Sequence, residues 1–581
     1  MKKPKFFLFL IIFLITLLVL RLFYIQVLKY DFYSDLAKRN YLKFIILPAP
    51  RGLILDRNNN ILASNKVKYS LYLIPPFEFD ERKYKKLSEI LNIPYKDLEK
   101  KFKKVSPYYP AMLIKSDLNH KEIALLEGNR ENLPSFTINM ELYRYYPNND
   151  IASHILGYMG EVSKDELLDE ESDYSLGDFV GKWGIEKYYE KFLRGVKGYK
   201  SVELFSGNKE YKLLPSKDPK PGNNLVLTID LELQKLAEEA LGDDVGTVIV
   251  SDPWTGEILA LASSPKFDPN KFIIGFSKEE WQSLITDERN PFHNRAISGL
   301  YPPGSIFKLI VALTALEENK VSLKEKFVCT GGLKLGNLYF ACWKKEGHGI
   351  IDFLNGIAQS CNVVFYNLGL RVGADSISKM AKDFGLDAYT KIDLPGEVKG
   401  FIPSPEWKKS TLKESWYPGD TLNMSIGQGY ILTTPIEIHL MLSMIATEGY
   451  GFKPHLVKKI IDYEGNEVKV FEPEIIRKVN IRKDTWNILK EGMKLVVEKG
   501  TGRAAKSEVW EVGGKTGTAQ NPHGESHAWF GAVFPLDSPK YVITVFVEHG
   551  KSGGAKCAPI AQKIISYLEN KEVNKIGKNL H

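Results

Sequence analysis

Ser305 and Lys308 are the two side chains of this sequence whose types and spacing most clearly indicate chemistry. They lie in the stretch Tyr301-Pro-Pro-Gly-Ser-Ile-Phe-Lys308, so the lysine follows the serine by about one helical turn. A serine hydroxyl becomes a good nucleophile when a base takes its proton. A lysine can be that base if burial or a nearby cation lowers its pKa. The pair predicts covalent catalysis at Ser305, although Ser-x-x-Lys alone also occurs on ordinary helix surfaces.

The residues around Ser305 predict that it begins a helix. Pro302 and Gly304 break the chain before it, and the segment from Ile310 to Leu316 continues an apolar helical face. Free backbone N–H groups at a helix start favour a developing negative charge.

Two further stretches complete a set of three motifs. Ser360-Cys361-Asn362 follows a helix-like run from Ile351 to Gln359, and Lys515-Thr516-Gly517-Thr518 precedes a strand-like segment from Trp529 to Phe534. Ser-x-x-Lys, a Ser-x-Asn motif and Lys-Thr-Gly, in that order, are the signature of penicillin-binding proteins and class A β-lactamases.

Over almost its whole length the sequence resembles the class B penicillin-binding proteins of the elongation type. The resemblance includes Arg51-Gly-Leu-Ile-Leu-Asp56-Arg57, Gly184-Ile-Glu-Lys-Tyr-Tyr-Glu190 and Ser425-Ile-Gly-Gln-Gly429. The Tyr-Pro-Pro-Gly before Ser305 favours the elongation type over the division type. Cys361 departs from the small or acidic residue that is usual in the second motif.

The resemblance implies a peptidoglycan D,D-transpeptidase that β-lactams inhibit, and it assigns roles by motif. Ser305 attacks the penultimate D-alanine carbonyl, and Lys308 takes its proton. Ser360 relays the proton to the leaving D-alanine, Asn362 orients Lys308, and Lys515 supplies a positive field. The residues implied to bind the substrate are Thr516, Gly517 and Thr518.

Other functions of the same pocket stay open. The resemblance is also compatible with a D,D-carboxypeptidase, a β-lactamase-like hydrolase, or a catalytically idle β-lactam-binding scaffold or sensor. Expected partners are peptidoglycan stem peptides, β-lactams, the membrane, a membrane glycan polymerase of the shape, elongation, division and sporulation class, and other proteins of the elongation complex.

Length and composition indicate a folded protein of several domains. The 581 residues exceed one ordinary core, and contents of 44% hydrophobic and 26% charged residues exclude wholesale disorder. The net charge of +7 is spread along the chain without a basic stripe of interleaved aromatics, so no nucleic-acid partner is expected.

The amino terminus predicts a membrane anchor. Lysines precede an apolar run from Phe6 to Leu20, which resumes after Arg21 as far as Leu28. The longer stretch spans about 34 Å as a helix, enough for a bilayer. A cleaved signal peptide is the alternative, but no small-x-small site follows the run. We therefore expect a single-pass protein of the cytoplasmic membrane with its catalytic domain in the periplasm.

The segmentation predicts an α+β fold in five parts. Strand-like segments at both ends of the carboxyl-terminal region, with helices between them, indicate a transpeptidase domain with an antiparallel sheet flanked by helices and a helical insert. Asp230 is expected to cap a helix over Leu231–Leu241. The predicted parts are a cytoplasmic tail and transmembrane anchor (1–30), a mixed α/β pedestal of the dimerisation type (31–215), a linker (216–224), the transpeptidase domain (225–572) and a tail (573–581).

A cluster of residue types that bind metals lies within the predicted transpeptidase domain. Cys329, Cys342, His348 and Cys361 form a Cys₃His set, which is a standard tetrahedral zinc shell. Some elongation-type relatives hold a metal beside the active site in the matching region, so a structural zinc is predicted, whereas the chemistry itself needs no cofactor. A Cys329–Cys342 disulfide or buried free thiols are the alternatives.

Overall fold

The computed structural model describes residues 3–34, 42–73, 80–102, 112–133, 135–168, 174–175, 177–205, 209–213, 216–522 and 524–579. The chain groups into two compact units. One comprises residues 1–51 with 194–222, and the other comprises residues 52–193 with 223–581. The second unit contains every site residue predicted from the sequence.

The amino-terminal helix of the first unit confirms the predicted apolar segment. An α-helix over Lys3–Phe23 continues into a π-helical turn over Tyr24–Leu28. The 24 residues Lys5–Leu28 have a mean hydropathy of 3.0, and none of this surface is buried in the protein. Such a surface is unfavourable in water and matches the length of a bilayer core. The helix suggests a single-pass membrane anchor.

The remainder of the first unit is a three-stranded antiparallel sheet. Its strands, in neighbouring order, are Leu42–Leu47, Gly198–Phe205 and Lys209–Leu213. Leu42 lies opposite Glu203 and Leu47 opposite Gly198, so chain segments far apart in sequence pair along six residues.

A seven-stranded sheet in the second unit joins distant parts of the chain. Asn224–Leu227 lies parallel to Ile54–Leu55 and antiparallel to Val457–Ile461. Segments from both sides of the predicted linker therefore share one sheet, and the five-part division stays a prediction. The strands in neighbouring order are Glu467–Val470, Val457–Ile461, Asn224–Leu227, Ile54–Leu55, Ile61–Leu73 and Met112–Lys115, with Phe136–Tyr145 also paired to Ile61–Leu73.

Three short helices cover the far end of this sheet. Leu71 and Leu73 of the long strand pack with apolar residues of the helices into a separate small core. The helices are Glu81–Leu91, Tyr95–Phe102 and His120–Glu127.

A buried ion pair joins the two sequence motifs of the amino-terminal half. Arg144 donates from Nε to Glu186 Oε1 at 2.6 Å and from Nη1 to the Gly52 carbonyl at 2.7 Å. The two charged side chains are only 2% and 0% exposed. A buried charge is tolerated when it is paired and hydrogen-bonded, so this contact fixes how the two motifs meet.

A five-stranded antiparallel sheet confirms the predicted core of the carboxyl-terminal half. Helices Leu231–Leu241 and Ala558–Asn579 pack on one face, and Lys308–Glu317 and Pro435–Ala446 pack on the other. The Asp230 carboxylate accepts the Leu233 N–H, which confirms the predicted helix cap. The strands in neighbouring order are Ile258–Ser264, Gly246–Ser251, Tyr541–Val547, Gly524–Phe534 and Gly513–Asn521.

The predicted helical insert lies between the first two and the last three strands of this sheet. Small two-stranded sheets accompany it, formed by Lys326–Cys329 with Gly349–Asp352 and by Gly332–Leu335 with Leu338–Ala341. Its helices are Lys271–Ile274, Lys278–Ile285, Arg295–Ser298, Lys308–Glu317, Phe353–Ala358, Asn362–Asp383, Pro405–Trp407, Pro418–Ser425, Pro435–Ala446 and Lys483–Glu498.

The start of one predicted helix is wrong. The helix-like run from Ile351 to Gln359 begins as the end of strand Gly349–Asp352, and the helix starts only at Phe353. Ile351 pairs with Phe327 across the small sheet, and Asp352 caps the helix by accepting the Asn355 N–H. Pairing with a distant strand overrides the local pattern.

The Arg144–Glu186 pair generates a stability prediction. Arg144→Met removes the cation and leaves the Glu186 carboxylate buried beside an apolar chain, so unfolding should become easier by about 3–5 kcal/mol. Lys85→Met breaks the exposed Lys85–Glu81 pair and is the matched control, with no measurable change expected. Thermal unfolding of the purified variants measures both. Equal unfolding midpoints for the two variants would contradict the assignment.

Candidate active site

Ser305 and Lys308 lie at the junction of two helical segments. Ser305 is in a 3₁₀ turn, Gly304–Phe307, and Lys308 begins the following α-helix. Gly304 has φ 56°, and a Cβ there would come within 2.6 Å of the Thr518 carbonyl oxygen. Glycine therefore lets the turn press against the Lys-Thr-Gly strand. The Ser305 side chain stays partly exposed, whereas Lys308 is completely buried.

The Lys308 amine is held by the second motif. Its Nζ donates to Asn362 Oδ1 at 2.7 Å and to the Ser360 carbonyl at 2.9 Å, and lies 3.3 Å from Ser360 Oγ. Burial lowers the pKa of Lys308 to about 7, although the thiols of Cys361 and Cys342 partly oppose the shift. A substantial fraction of the amine is therefore neutral near pH 7 and able to take a proton.

Lys515 reaches the same serine from the opposite wall. Its Nζ donates to Ser360 Oγ at 2.9 Å and to the Thr516 carbonyl at 3.0 Å. Lys515 is completely buried, and burial, together with the positive charge of Lys308, holds its pKa well below the usual range. The Ser360 hydroxyl thus lies between two amines, and among the residues that the structure describes it is the one group that contacts both.

The backbone of Ser360 is in an unusual conformation. Its φ is 52°, in the left-handed region, which costs a non-glycine residue about 1–3 kcal/mol. Hydrogen bonds from the N–H groups of Ser360 and Cys361 to Ile357 and Gly356 hold the turn. Cys361 is the last residue before the long helix that begins at Asn362. The turn directs the Ser360 hydroxyl and the Asn362 amide to the same lysine.

The Lys-Thr-Gly strand forms the edge of the five-stranded sheet beside Ser305. A Cβ at Gly517 would lie 3.0 Å from the Pro303 carbonyl, so the strand runs tight against the turn that precedes Ser305. Thr518 is exposed, while Thr516 is buried. The structure therefore brings the predicted catalytic and substrate-binding residues into one cleft, and their chemical roles stay predictions.

Thr501 is a site residue that the sequence did not indicate. Its hydroxyl lies 2.6 Å from the Thr516 hydroxyl, and its N–H donates to the Ala358 carbonyl behind the second motif. Thr501 follows the helix Lys483–Glu498 in a turn that matches no catalytic pattern. Only the folded contact with the third motif identifies it.

The four predicted metal ligands converge behind the second motif. The ligand atoms of Cys329, Cys342, His348 and Cys361 all lie within 4.8 Å of one another. His348 Nδ1 is 3.5 Å from Cys329 Sγ and 3.6 Å from Cys342 Sγ. All three cysteines are buried and free, so no disulfide joins Cys329 to Cys342 in this structure.

These residues fit a zinc ion. A nitrogen at about 2.0–2.1 Å and a sulfur at about 2.3 Å from one tetrahedral zinc lie about 3.6 Å apart. The two nitrogen–sulfur distances at His348 match this value. Burial lowers the pKa of His348, so its imidazole is in the neutral form that binds metals. A hydrogen bond from Cys361 lowers the pKa of Cys342 and raises that of Cys361, so Cys342 is the thiol of this pair that ionises first. The donor set is therefore of the right type and spacing.

Comparison with known families identifies the chain. The sequence model of the penicillin-binding protein transpeptidase domain matches residues 246–566, and that of the penicillin-binding protein dimerisation domain matches residues 46–227. The chain belongs to the penicillin-binding proteins, and among them to the elongation-type class B family, penicillin-binding protein 2. This confirms the resemblance inferred from the motifs.

The similarity extends over almost the whole chain. Peptidoglycan D,D-transpeptidase MrdA of Haemophilus influenzae is 34% identical over 598 residues, covering 98% of this chain and 91% of the relative. The structure of penicillin-binding protein 2 from Helicobacter pylori in complex with MreC is 31% identical with a TM-score of 0.81, covering 91% and 99%. A structure that describes the coordination of polymerization and crosslinking by a peptidoglycan synthase complex is 30% identical with a TM-score of 0.73, covering 97% and 98%.

Proposed function

We propose that this protein is a membrane-anchored peptidoglycan D,D-transpeptidase that cross-links stem peptides during lateral elongation of the cell wall through a Ser305 acyl-enzyme. The observation that carries the proposal is the buried contact of two amines, on Lys308 and Lys515, with the Ser360 hydroxyl beside an accessible Ser305. Such an arrangement can move a proton away from the nucleophile and towards a leaving amine.

Acylation follows from this arrangement. Neutral Lys308 takes the proton of Ser305 Oγ as the oxygen attacks the penultimate D-alanine carbonyl. The tetrahedral intermediate collapses, a Ser305 ester forms, and the bond to the terminal D-alanine nitrogen breaks. The proton passes from Lys308 through Ser360 to that nitrogen, so D-alanine leaves as a neutral amine. Lys515 donates a hydrogen bond to Ser360 Oγ and so stabilises the negative charge that develops on this oxygen during the proton transfer.

The third motif supplies the contacts that orient the substrate. The strand at Thr518 touches the turn that carries Ser305, which supports an oxyanion hole formed by the backbone N–H groups of both residues. The Thr516 and Thr518 hydroxyls bind the terminal carboxylate in the field of Lys515. Thr516 can give its single proton to the carboxylate only if Thr501 donates to Thr516, so Thr501 positions that hydroxyl.

Deacylation by an amine of a neighbouring stem peptide completes the cross-link. The amine attacks the Ser305 ester, and neutral Lys308 takes a proton from the attacking nitrogen by way of Ser360. Lys308 then gives that proton to Ser305 Oγ as the ester bond breaks, so a new amide bond replaces the ester and free Ser305 is restored. A carboxypeptidase or a β-lactamase would use water at this step. The predicted anchor and the non-catalytic pedestal favour the transpeptidase, because the wall is built outside the membrane that the anchor would span.

The membrane arrangement and partners extend the proposal. Lysines before the apolar helix favour a cytoplasmic amino terminus and a periplasmic catalytic domain. The anchor and the pedestal, with the boundaries given above, would dock a membrane glycan polymerase of the shape, elongation, division and sporulation class. The likeness to a peptidoglycan synthase complex and to a protein bound to MreC supports a polymerase and an MreC-type scaffold as partners.

A structural zinc is part of the proposal, although the chemistry needs no cofactor. Cys329, Cys342, His348 and Cys361 would hold it, and Cys361 lies between Ser360 and Asn362. Bound zinc would supply a fixed point for the strained turn. The ion would thus act on the Ser360 hydroxyl only through the backbone.

The function is tested by labelling and product analysis on the full-length protein. Wild type should form a covalent adduct with a fluorescent penicillin and, with the polymerase and lipid-linked disaccharide-pentapeptide, cross-linked dimers. Ser305→Ala should lose both, with at most about 1 kcal/mol lost in stability. Trimmed tetrapeptides without dimers would indicate a carboxypeptidase. A penicillin adduct without turnover of peptide would indicate an idle scaffold or sensor.

The zinc is tested by elemental analysis of protein purified without added metal. About one zinc per chain is expected. Cys361→Ser should lose the metal, whereas Cys557→Ser, which changes a buried cysteine outside the cluster, should retain it. Chelation should slow penicillin acylation without modifying Ser305. A Cys329–Cys342 crosslink in mass spectrometry, with no metal, would refute the site.

A further inference from the structure

A polar cavity of about 280 Å³ lies beside the Ser305 turn. The carbonyl of Gly427 accepts the N–H of Gly304 at 2.9 Å. Gln428, which lines the cavity, follows Gly427 in the chain, and the nucleophile Ser305 follows Gly304, so the two residues are near neighbours. On the other side, Ser425 packs against Gly369 of the helix that begins at Asn362. The segment that lines the cavity therefore packs against both the Ser305 turn and the helix that follows the second motif.

The Asp420 carboxylate lines the cavity, and within the part of the chain that the structure describes only one of its two oxygens accepts hydrogen bonds. Asp420 Oδ2 accepts from Lys408 Nζ at 2.7 Å and from the Tyr417 N–H at 2.9 Å. Lys408 is buried and lies between the rings of Tyr417 and Tyr430, 5.3 and 5.8 Å from their centres. Within the described ranges of the chain, no hydrogen bond reaches the second oxygen, Asp420 Oδ1.

Two amides on the rim have no partner either. Asn423 is exposed and Gln428 is half-buried, and both line the cavity. Their side chains make no hydrogen bond with any residue that the structure describes. Their backbones are fixed, because the Gln428 N–H donates to the Asn423 carbonyl at 3.0 Å. The two amides are therefore held in place but left free for a ligand.

These groups together fit a side chain that ends in an amine. A free carboxylate oxygen and two amide oxygens can accept the three N–H donors of an ammonium group. The rings of Trp416 and Tyr430 also line the cavity, and they provide apolar surface for a methylene chain.

We propose that this cavity binds the amine-bearing side chain of the stem-peptide residue that precedes the D-alanine pair. The proposal rests on the function proposed above, because the scissile carbonyl must lie at Ser305 for the preceding residue to reach Gln428. The enzyme would then select donor peptides whose side-chain amine is still free. A peptide whose amine is already in a cross-link would be disfavoured as a donor.

The test compares three synthetic peptides that end in D-Ala-D-Ala and differ only in the preceding side chain, which carries a free amine, an acetylated amine or a methyl group. Acylation of Ser305 in the full-length protein is measured as kcat/KM. Wild type should favour the free amine over the acetylated form by about ten-fold or more, the scale of one charge-assisted hydrogen bond.

Two variants localise the effect. Asn423→Lys places a cation at the rim and should bring the ratio of amine to acetylated rates to about one, because like charges repel. Gln282→Lys makes the same charge change on an exposed helix outside the cleft and should keep the wild-type ratio.

The outcomes separate this inference from the proposed function. Equal rates for all three peptides in wild type, with Ser305 still acylated, would refute the cavity and leave the transpeptidase intact. An amine preference that survives in Asn423→Lys would show that the amine binds elsewhere, which also refutes it. No acylation by peptides or penicillin would refute the proposed function and this inference together.

Discussion

The active site depends on one contact, in which the buried amines of Lys308 and Lys515 both reach the hydroxyl of Ser360. Lys308 and Lys515 are both completely buried, so each pays a desolvation cost for its charge, and the charge of Lys308 further disfavours that of Lys515. Each amine contacts the Ser360 hydroxyl, so moving either lysine away from the other would break one of these two contacts. Burial therefore lowers the pKa of the base, and the shared contact with Ser360 sets the proton path.

The fold is arranged to bring three distant segments to this point. Lys308 starts a helix on one face of the five-stranded sheet, Lys515 lies on the edge strand, and Ser360 sits in the turn between two helices of the insert. Glycines at Gly304 and Gly517 allow turn and strand to touch. The turn at Ser360 has left-handed backbone, and Cys361 of the Cys₃His cluster directly follows it.

Much of this arrangement follows from sequence because the relevant signals are local. The spacing of Ser305 and Lys308 predicts that they lie close together, although Ser305 lies in a 3₁₀ turn and the α-helix begins only at Lys308. A sheet with strands from both ends of the domain follows from alternating apolar segments. What the sequence does not reveal depends on contacts between distant residues. The strand at Ile351 forms by pairing with Phe327. Thr501 becomes a site residue only because folding brings its hydroxyl to that of Thr516. The Ser360 carbonyl and hydroxyl likewise gain their lysine partners only in the folded protein.

The pH dependence of acylation by a penicillin tests the central claim most directly. Because Lys308 must be neutral to take the Ser305 proton, the second-order rate constant should fall as pH drops through about 7, the pKa that burial gives this amine. Above that pH the rate should level off. The protein must remain folded across the range, as checked by its unfolding transition at each pH. A rate that keeps rising towards 10.5, the ordinary pKa of lysine, would mean that Lys308 is not the buried base, and a rate independent of pH would mean that no lysine is.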